Sequence, residues 1–85
     1  MIYTVTLLRD AQKSLDKMDA TLRARMVAAM RLLEDHPRDP GIIKLVGQED
    51  LYRVRVGDWR IVYTIRDSEL VVIVLRIGHR HEVYR

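Results

Sequence analysis

Residues 51–84 read LYRVRVGDWRIVYTIRDSELVVIVLRIGHRHEVY, and two turn signals cut this stretch into three strand-like runs. Side chains on a strand switch faces at every step. In the first run, Leu51 to Val56, Tyr52, Val54 and Val56 point one way and Arg53 and Arg55 the other. Gly57-Asp58 supplies a turn, because glycine tolerates positive φ and aspartate bonds its own backbone. The second run places Trp59, Ile61, Tyr63 and Ile65 on one face and Arg60, Val62, Thr64 and Arg66 on the other. Asp67-Ser68 turns again. The third run, Leu70 to Ile77, is apolar on both faces until Arg76, which places it inside a sheet rather than at its edge. Gly78-His79-Arg80-His81-Glu82-Val83-Tyr84 follows, rich in groups that move protons or hold phosphate. In a meander of these runs, Arg53, Arg55 and Arg60 share one open face. The tail then brings His79, Arg80, His81 and Tyr84 to its end.

The charge follows the same division. Residues 1–50 hold eight Lys or Arg and eight Asp or Glu, which cancel. Residues 51–85 hold seven Arg, no Lys and four acids, and so carry the whole net charge of +3. Arginine stays charged at any working pH and offers a planar fork to phosphate, so this balance points to an acidic partner such as nucleic acid or an acidic protein. Arginine also suits exposed strand surface, and that plainer reading stays open. Eighty-five residues make one domain, 1–85, with a small core. The absence of cysteine excludes disulfides and thiolate metal sites and fits a reducing, cytoplasmic location. No apolar run approaches a membrane span, and MIYTVTLLRD lacks the pattern of a signal peptide, so no membrane partner is expected.

Upstream, IYTVTL at 2–7 alternates as a first strand. Ala11, Leu15 and Met18 give a helical stripe over Arg9 to Met18. Asp19 or Thr21 is placed to cap a second helix from about Leu22 to Asp35, with Leu22, Met26, Ala29, Met30 and Leu33 on its buried side and Arg23, Arg25, Arg31 and Glu34 facing water. His36-Pro37-Arg38-Asp39-Pro40-Gly41 stops that helix. Ile42 to Val46 reads as a short strand or an extended segment, in which Lys44 is a candidate to extend the basic face. The expected fold is α+β in two layers, β-α-α-β(3–4), with a helical hairpin on one face of a mainly antiparallel sheet. The face under the helices is expected to hold Tyr52, Val54, Val56, Ile61, Tyr63, Ile65, Val71, Ile73, Leu75 and Ile77. The arginines occupy the other.

The loop DHPRDPGIIKL (35–45), the run LYRVRVGDWRIVYTI (51–65) and the ending IGHRHEVY (77–84) resemble the RelE/ParE toxin superfamily of type II toxin–antitoxin modules, closer to its RelE-like branch. The resemblance covers essentially the whole chain. It implies a ribosome-dependent mRNA endoribonuclease that cuts A-site codons and inhibits translation. It implies phosphate or RNA contacts for Arg53 and Arg55, a hold on the reacting phosphate for Arg60, and acid–base work for Arg80 and Tyr84. His79 and His81 flank Arg80 and stand as alternates for proton transfer, since histidine titrates nearest neutrality. Glu82 is a candidate base, a partner for Arg80 or a plain surface charge. Trp59 is either a stacking platform for a base or a half-buried core residue.

RNA carries its own nucleophile in the 2′-OH, so no metal or other cofactor is expected. The resemblance further implies an acidic antitoxin that wraps the toxin, the 30S A site and mRNA as targets, and operator DNA reached only through the antitoxin. The alternative within the superfamily is a ParE-like inhibitor of DNA gyrase with no nuclease activity. A third reading is a plain binding module for an acidic protein.

Overall fold

The computed structural model describes residues 2–39, 43–44 and 50–79. The first strand, β1 (Thr4–Leu7), leads directly into α1 (Arg9–Asp16) and α2 (Ala20–Asp35). Asp19 caps α2, its carboxylate accepting from the Leu22 N–H at 2.8 Å, so the helix starts two residues before the expected Leu22. The Arg23 guanidinium does not merely face water. It reaches back to the carbonyls of Leu15, Asp16 and Met18 and satisfies the end of α1. The Glu34 carbonyl in the last turn of α2 accepts from the N–H groups of Ile2 and Tyr3, which fastens the start of the chain to the second helix.

Four further strands follow: β2 (Ile43–Lys44), β3 (Tyr52–Val56), β4 (Trp59–Arg66) and β5 (Val71–His79). With β1 they make one sheet in the order β1-β5-β4-β3-β2. All pairs are antiparallel except β1 with β5, which is parallel. β5 thus lies inside the sheet, as its doubly apolar sequence requires. Gly57 takes φ +61° in the two-residue turn between Val56 and Trp59, a conformation that side chains oppose. A 3-10 turn (Asp67–Glu69) ending on Leu70 in the left-handed region joins β4 to β5.

The core fills the space between the helices and one sheet face. Ala11, Leu15, Met18, Met26, Met30 and Leu33 meet Ile61, Tyr63, Ile65, Val72, Val74 and Ile77. Burying each of the larger side chains contributes about 1.5–3 kcal/mol. The β5 residues differ from the expected set. Val72 and Val74 are buried under the helices, while Val71, Ile73 and Leu75 are only partly buried. Ile65 pairs with Val72 and Tyr63 with Val74, but Val62 pairs with Arg76, so Leu75 is an extra residue in the ladder. This bulge reverses the parity and returns Ile77 to the core face opposite Ile61. A strand apolar on both sides carries no alternation to fix which side is inward, and the bulge cannot be seen in it.

Candidate nucleic-acid interface

Opposed residues in a ladder project from the same side of the sheet, so the register identifies which side chains lie on the face away from the helices. Arg55, Arg60 and Gly78 form one row across β3, β4 and β5. Arg53, Val62 and Arg76 form the next. Thr64, Ile73 and Thr6 make a third row, uncharged, and Arg66, Val71 and Thr4 a fourth. No carboxylate occupies any of these paired positions. Neighbouring strands lie about 4.8 Å apart and alternate residues about 7 Å apart along a strand. Arg60 therefore has Arg55 beside it and Arg53 and Arg76 on its two diagonals. The Arg55 guanidinium donates through Nε to the Gly57 carbonyl at 3.1 Å and that of Arg60 through Nη1 to the Trp59 carbonyl at 3.2 Å, which ties both heads back to the backbone at the turn end of the sheet. Val62, between Arg53 and Arg76, is buried at 7% exposure although it belongs to this outer face.

The grouping of Arg53, Arg55 and Arg60 matches the sequence reading. Two candidate residues stand elsewhere. Lys44 pairs with Tyr52 and so takes the helix side of the sheet, not the arginine face. His79 pairs with Trp59, again on the helix side, and meets its ring edge-on at 5.8 Å and 83°. Its neighbour Gly78 is the β5 residue opposite Arg60. Trp59 itself packs against the core, half-buried. Arg80, His81, Glu82 and Tyr84 lie outside the described residues. Arg76 is the residue that sequence reasoning missed. It read as the end of an apolar run; the expected facing, with Ile77 inward, already put it on the outer side, and in the structure the bulge at Leu75 keeps it there although Val72 and Val74 turn inward.

A second charged group occupies the opposite end of the sheet and neutralises itself. Arg38 grips Asp67 with two bonds of 2.9 Å and donates to the Tyr52 hydroxyl at 3.2 Å, with its guanidinium over the Tyr52 ring. The Tyr3 hydroxyl donates to the same carboxylate at 2.7 Å. The hydrogen bonds from Arg38, then Tyr3, hold the Asp67 pKa down to about 2. Conversely, Asp67 raises the pKa of Tyr3 and of Arg38. Tyr63, stacked on Tyr52, donates to the Pro37 carbonyl at 2.7 Å, and burial pushes its pKa up. This network pins the segment after α2 to the start of β1, to β3 and to the far end of β4. The arginine rows lie at the other end.

A family model described as the ParE toxin of the type II toxin–antitoxin system parDE matches residues 5–84. A putative RelE-like toxin protein of Escherichia coli is 30% identical over 82 residues, covering 94% of this chain and 85% of that protein. This chain belongs to the RelE/ParE toxin superfamily, in its RelE-like branch. Solved RelE structures superpose on it closely. The isolated E. coli RelE toxin matches with a TM-score of 0.81 at 29% identity, over 96% of this chain and 90% of that one. RelE in the archaeal RelE–RelB complex from Pyrococcus horikoshii matches with a TM-score of 0.80 at 30% identity, over 98% of this chain and 100% of that one. The RelE-like fold therefore carries, in this chain, an outer sheet face of arginine rows. Among the described residues no helix is long and apolar enough to cross a membrane.

Proposed function

We propose that this RelE-like toxin is a ribosome-dependent endoribonuclease that cuts mRNA codons in the A site and so inhibits translation. The observation that carries this reading is the double row of Arg53, Arg55, Arg60 and Arg76 on a face whose paired positions hold no carboxylate. Such a face suits a phosphate backbone, because forked guanidinium donors match phosphate oxygens.

In the proposed reaction the 2′-oxygen attacks the adjacent phosphorus while the bond to the 5′-oxygen breaks. The products are a 2′,3′-cyclic phosphate and a 5′-hydroxyl. Arg60 and Arg80 stabilise the extra negative charge on the phosphoryl oxygens, an effect of about 10²–10³ in rate for one donor. Tyr84 takes the 2′-OH proton, made more acidic by those cations, and His81 or Arg80 supplies the proton to the leaving oxygen. Arg53 and Arg55 bind the RNA strand. His79 stands on the Trp59 side and is assigned to the rim rather than to the reacting phosphate. The reaction uses the RNA's own nucleophile and calls on no cofactor.

RelE of P. horikoshii was solved with RelB, and by that likeness the partner of this chain is an antitoxin. Its chemistry should be acidic, to wrap and neutralise the arginine face, with the antitoxin supplying any operator DNA contacts. The relatives above are RelE-like, which disfavours the gyrase reading. Controlled expression tests the choice. Arg60→Ala, Arg80→Ala and Tyr84→Phe should each relieve growth arrest while the protein stays folded, and protein synthesis should fall before DNA synthesis in the wild type. Inhibited DNA supercoiling with intact mRNA would sink the nuclease reading.

A further inference from the structure

We propose that Arg76 and Arg53 form a second phosphate site, one row along the open face from Arg55 and Arg60, that holds the phosphate next to the one being cut. This rests on the nuclease reading and adds a binding residue to it. Arg76 is the one Lys or Arg in β5, on a strand otherwise apolar from Val71 to Ile77. Its side chain is exposed, and the bulge at Leu75 turns it onto the arginine face. Without that extra residue, Arg76 would point toward the helices and the core. A charge on an interior strand next to a bulge marks a side chain that has been re-aimed.

The geometry suits two phosphates. Row to row, the separation is about 7 Å along the strands, close to the step between successive phosphates of a nucleic-acid strand. Within the second row, Arg53 and Arg76 stand two strands apart, about 10 Å at the backbone, so their long arms close on one anion from both sides. Val62 floors the space between them and offers no competing polar group. Gly78 leaves the space beside Arg60 without a side chain in the first row. The third row, Thr64 with Ile73 and Thr6, carries no charge, so the cationic track ends after two steps. A single strand laid on it runs parallel to β4, from Arg60 toward Val62, as basic grooves track a backbone in single-strand binding proteins.

The test is single-turnover cleavage of mRNA on programmed ribosomes over a range of toxin concentrations. Arg76→Ala should raise the half-saturating concentration roughly tenfold, the weight of one charge-assisted contact, and leave the saturated rate within about twofold. Arg76→Lys should recover part of the loss. A neutral methylphosphonate at one phosphate flanking the cut should weaken the wild type similarly and add little in Arg76→Ala. Arg66→Ala, two rows away on the same face, should behave as wild type. The site is overturned if Arg76→Ala matches wild type, if the two losses multiply, or if Arg66→Ala gives the same loss and coupling. Unmodified mRNA left uncut by folded wild-type protein would instead overturn the nuclease reading, and this site with it.

Discussion

At the residue scale, the Arg38–Asp67 ion pair has a measurable signature. Asp67 titrates at about 2 because Arg38 and Tyr3 bond its charged form. A carboxyl held below its unfolded value of about 3.9 contributes stability above that pH and loses the contribution as pH falls toward 2. Urea midpoints of the wild type should therefore decline between about pH 4 and pH 2, and Asp67→Asn should show less of this decline. An equal slope in both proteins would remove Asp67 as its source. Tyr63 works in the opposite direction. Burial raises its pKa, so its contribution holds below about 10 and fades above. Leu70 is a different kind of residue-scale feature, a leucine at φ 54° and ψ 48°. The left-handed region costs a side chain about 1–2 kcal/mol. With Leu70 47% exposed and little packing to lose, Leu70→Gly should raise stability by up to about 1 kcal/mol in equilibrium unfolding.

At the scale of the element, α2 offers a paired test. Leu33 is wholly buried and its neighbour Leu32 is 67% exposed. Leu33→Ala should cost about 2–5 kcal/mol, and Leu32→Ala should stay within about 0.5 kcal/mol, read from the same denaturation curves. The β3–β4 turn gives another. A side chain at Gly57 would meet the positive φ and the Arg25 guanidinium at 3.2 Å together, so Gly57→Val should destabilise by more than about 1 kcal/mol. Both helices, the β3–β4 hairpin and the arginine face were legible in the sequence because each has a strong period or a decisive turn residue. Met26, Met30 and Leu33 repeat at helical spacing, and Arg53, Arg55 and Arg60 alternate with apolar partners. β5 was legible as an interior strand but not in its facing, because VVIVL has no polar side to exclude. Arg76 went unremarked because it closes an apolar run rather than alternating along it, and the short β2 gave no sign that its register turns Lys44 away. The Tyr3–Asp67–Arg38–Tyr52 network joins residues up to 64 apart in sequence, a contact no local pattern encodes.

Across the whole molecule, charge is sorted along the sheet. One end carries the neutralised Arg38–Asp67 group, which ties β1, the segment after α2 and the β4–β5 turn together. The other carries Arg53, Arg55, Arg60 and Arg76 on one outer face. The helical layer supplies the core on the far side, and on the cationic face Val62 and Gly78 are buried, Arg53 and Arg60 half-buried, and Arg55 and Arg76 exposed. Each arginine variant is therefore paired with an unfolding curve, so that function is read apart from stability. The most direct measurement is primer extension on a defined mRNA in a reconstituted translation reaction, with and without ribosomes, comparing the wild type with Arg60→Ala. The expected result is cuts inside A-site codons that require ribosomes and fall by about 10²–10³ in rate in the variant. Intact mRNA with folded wild-type protein, or equal cutting by Arg60→Ala, would contradict the assignment of this face to RNA cleavage.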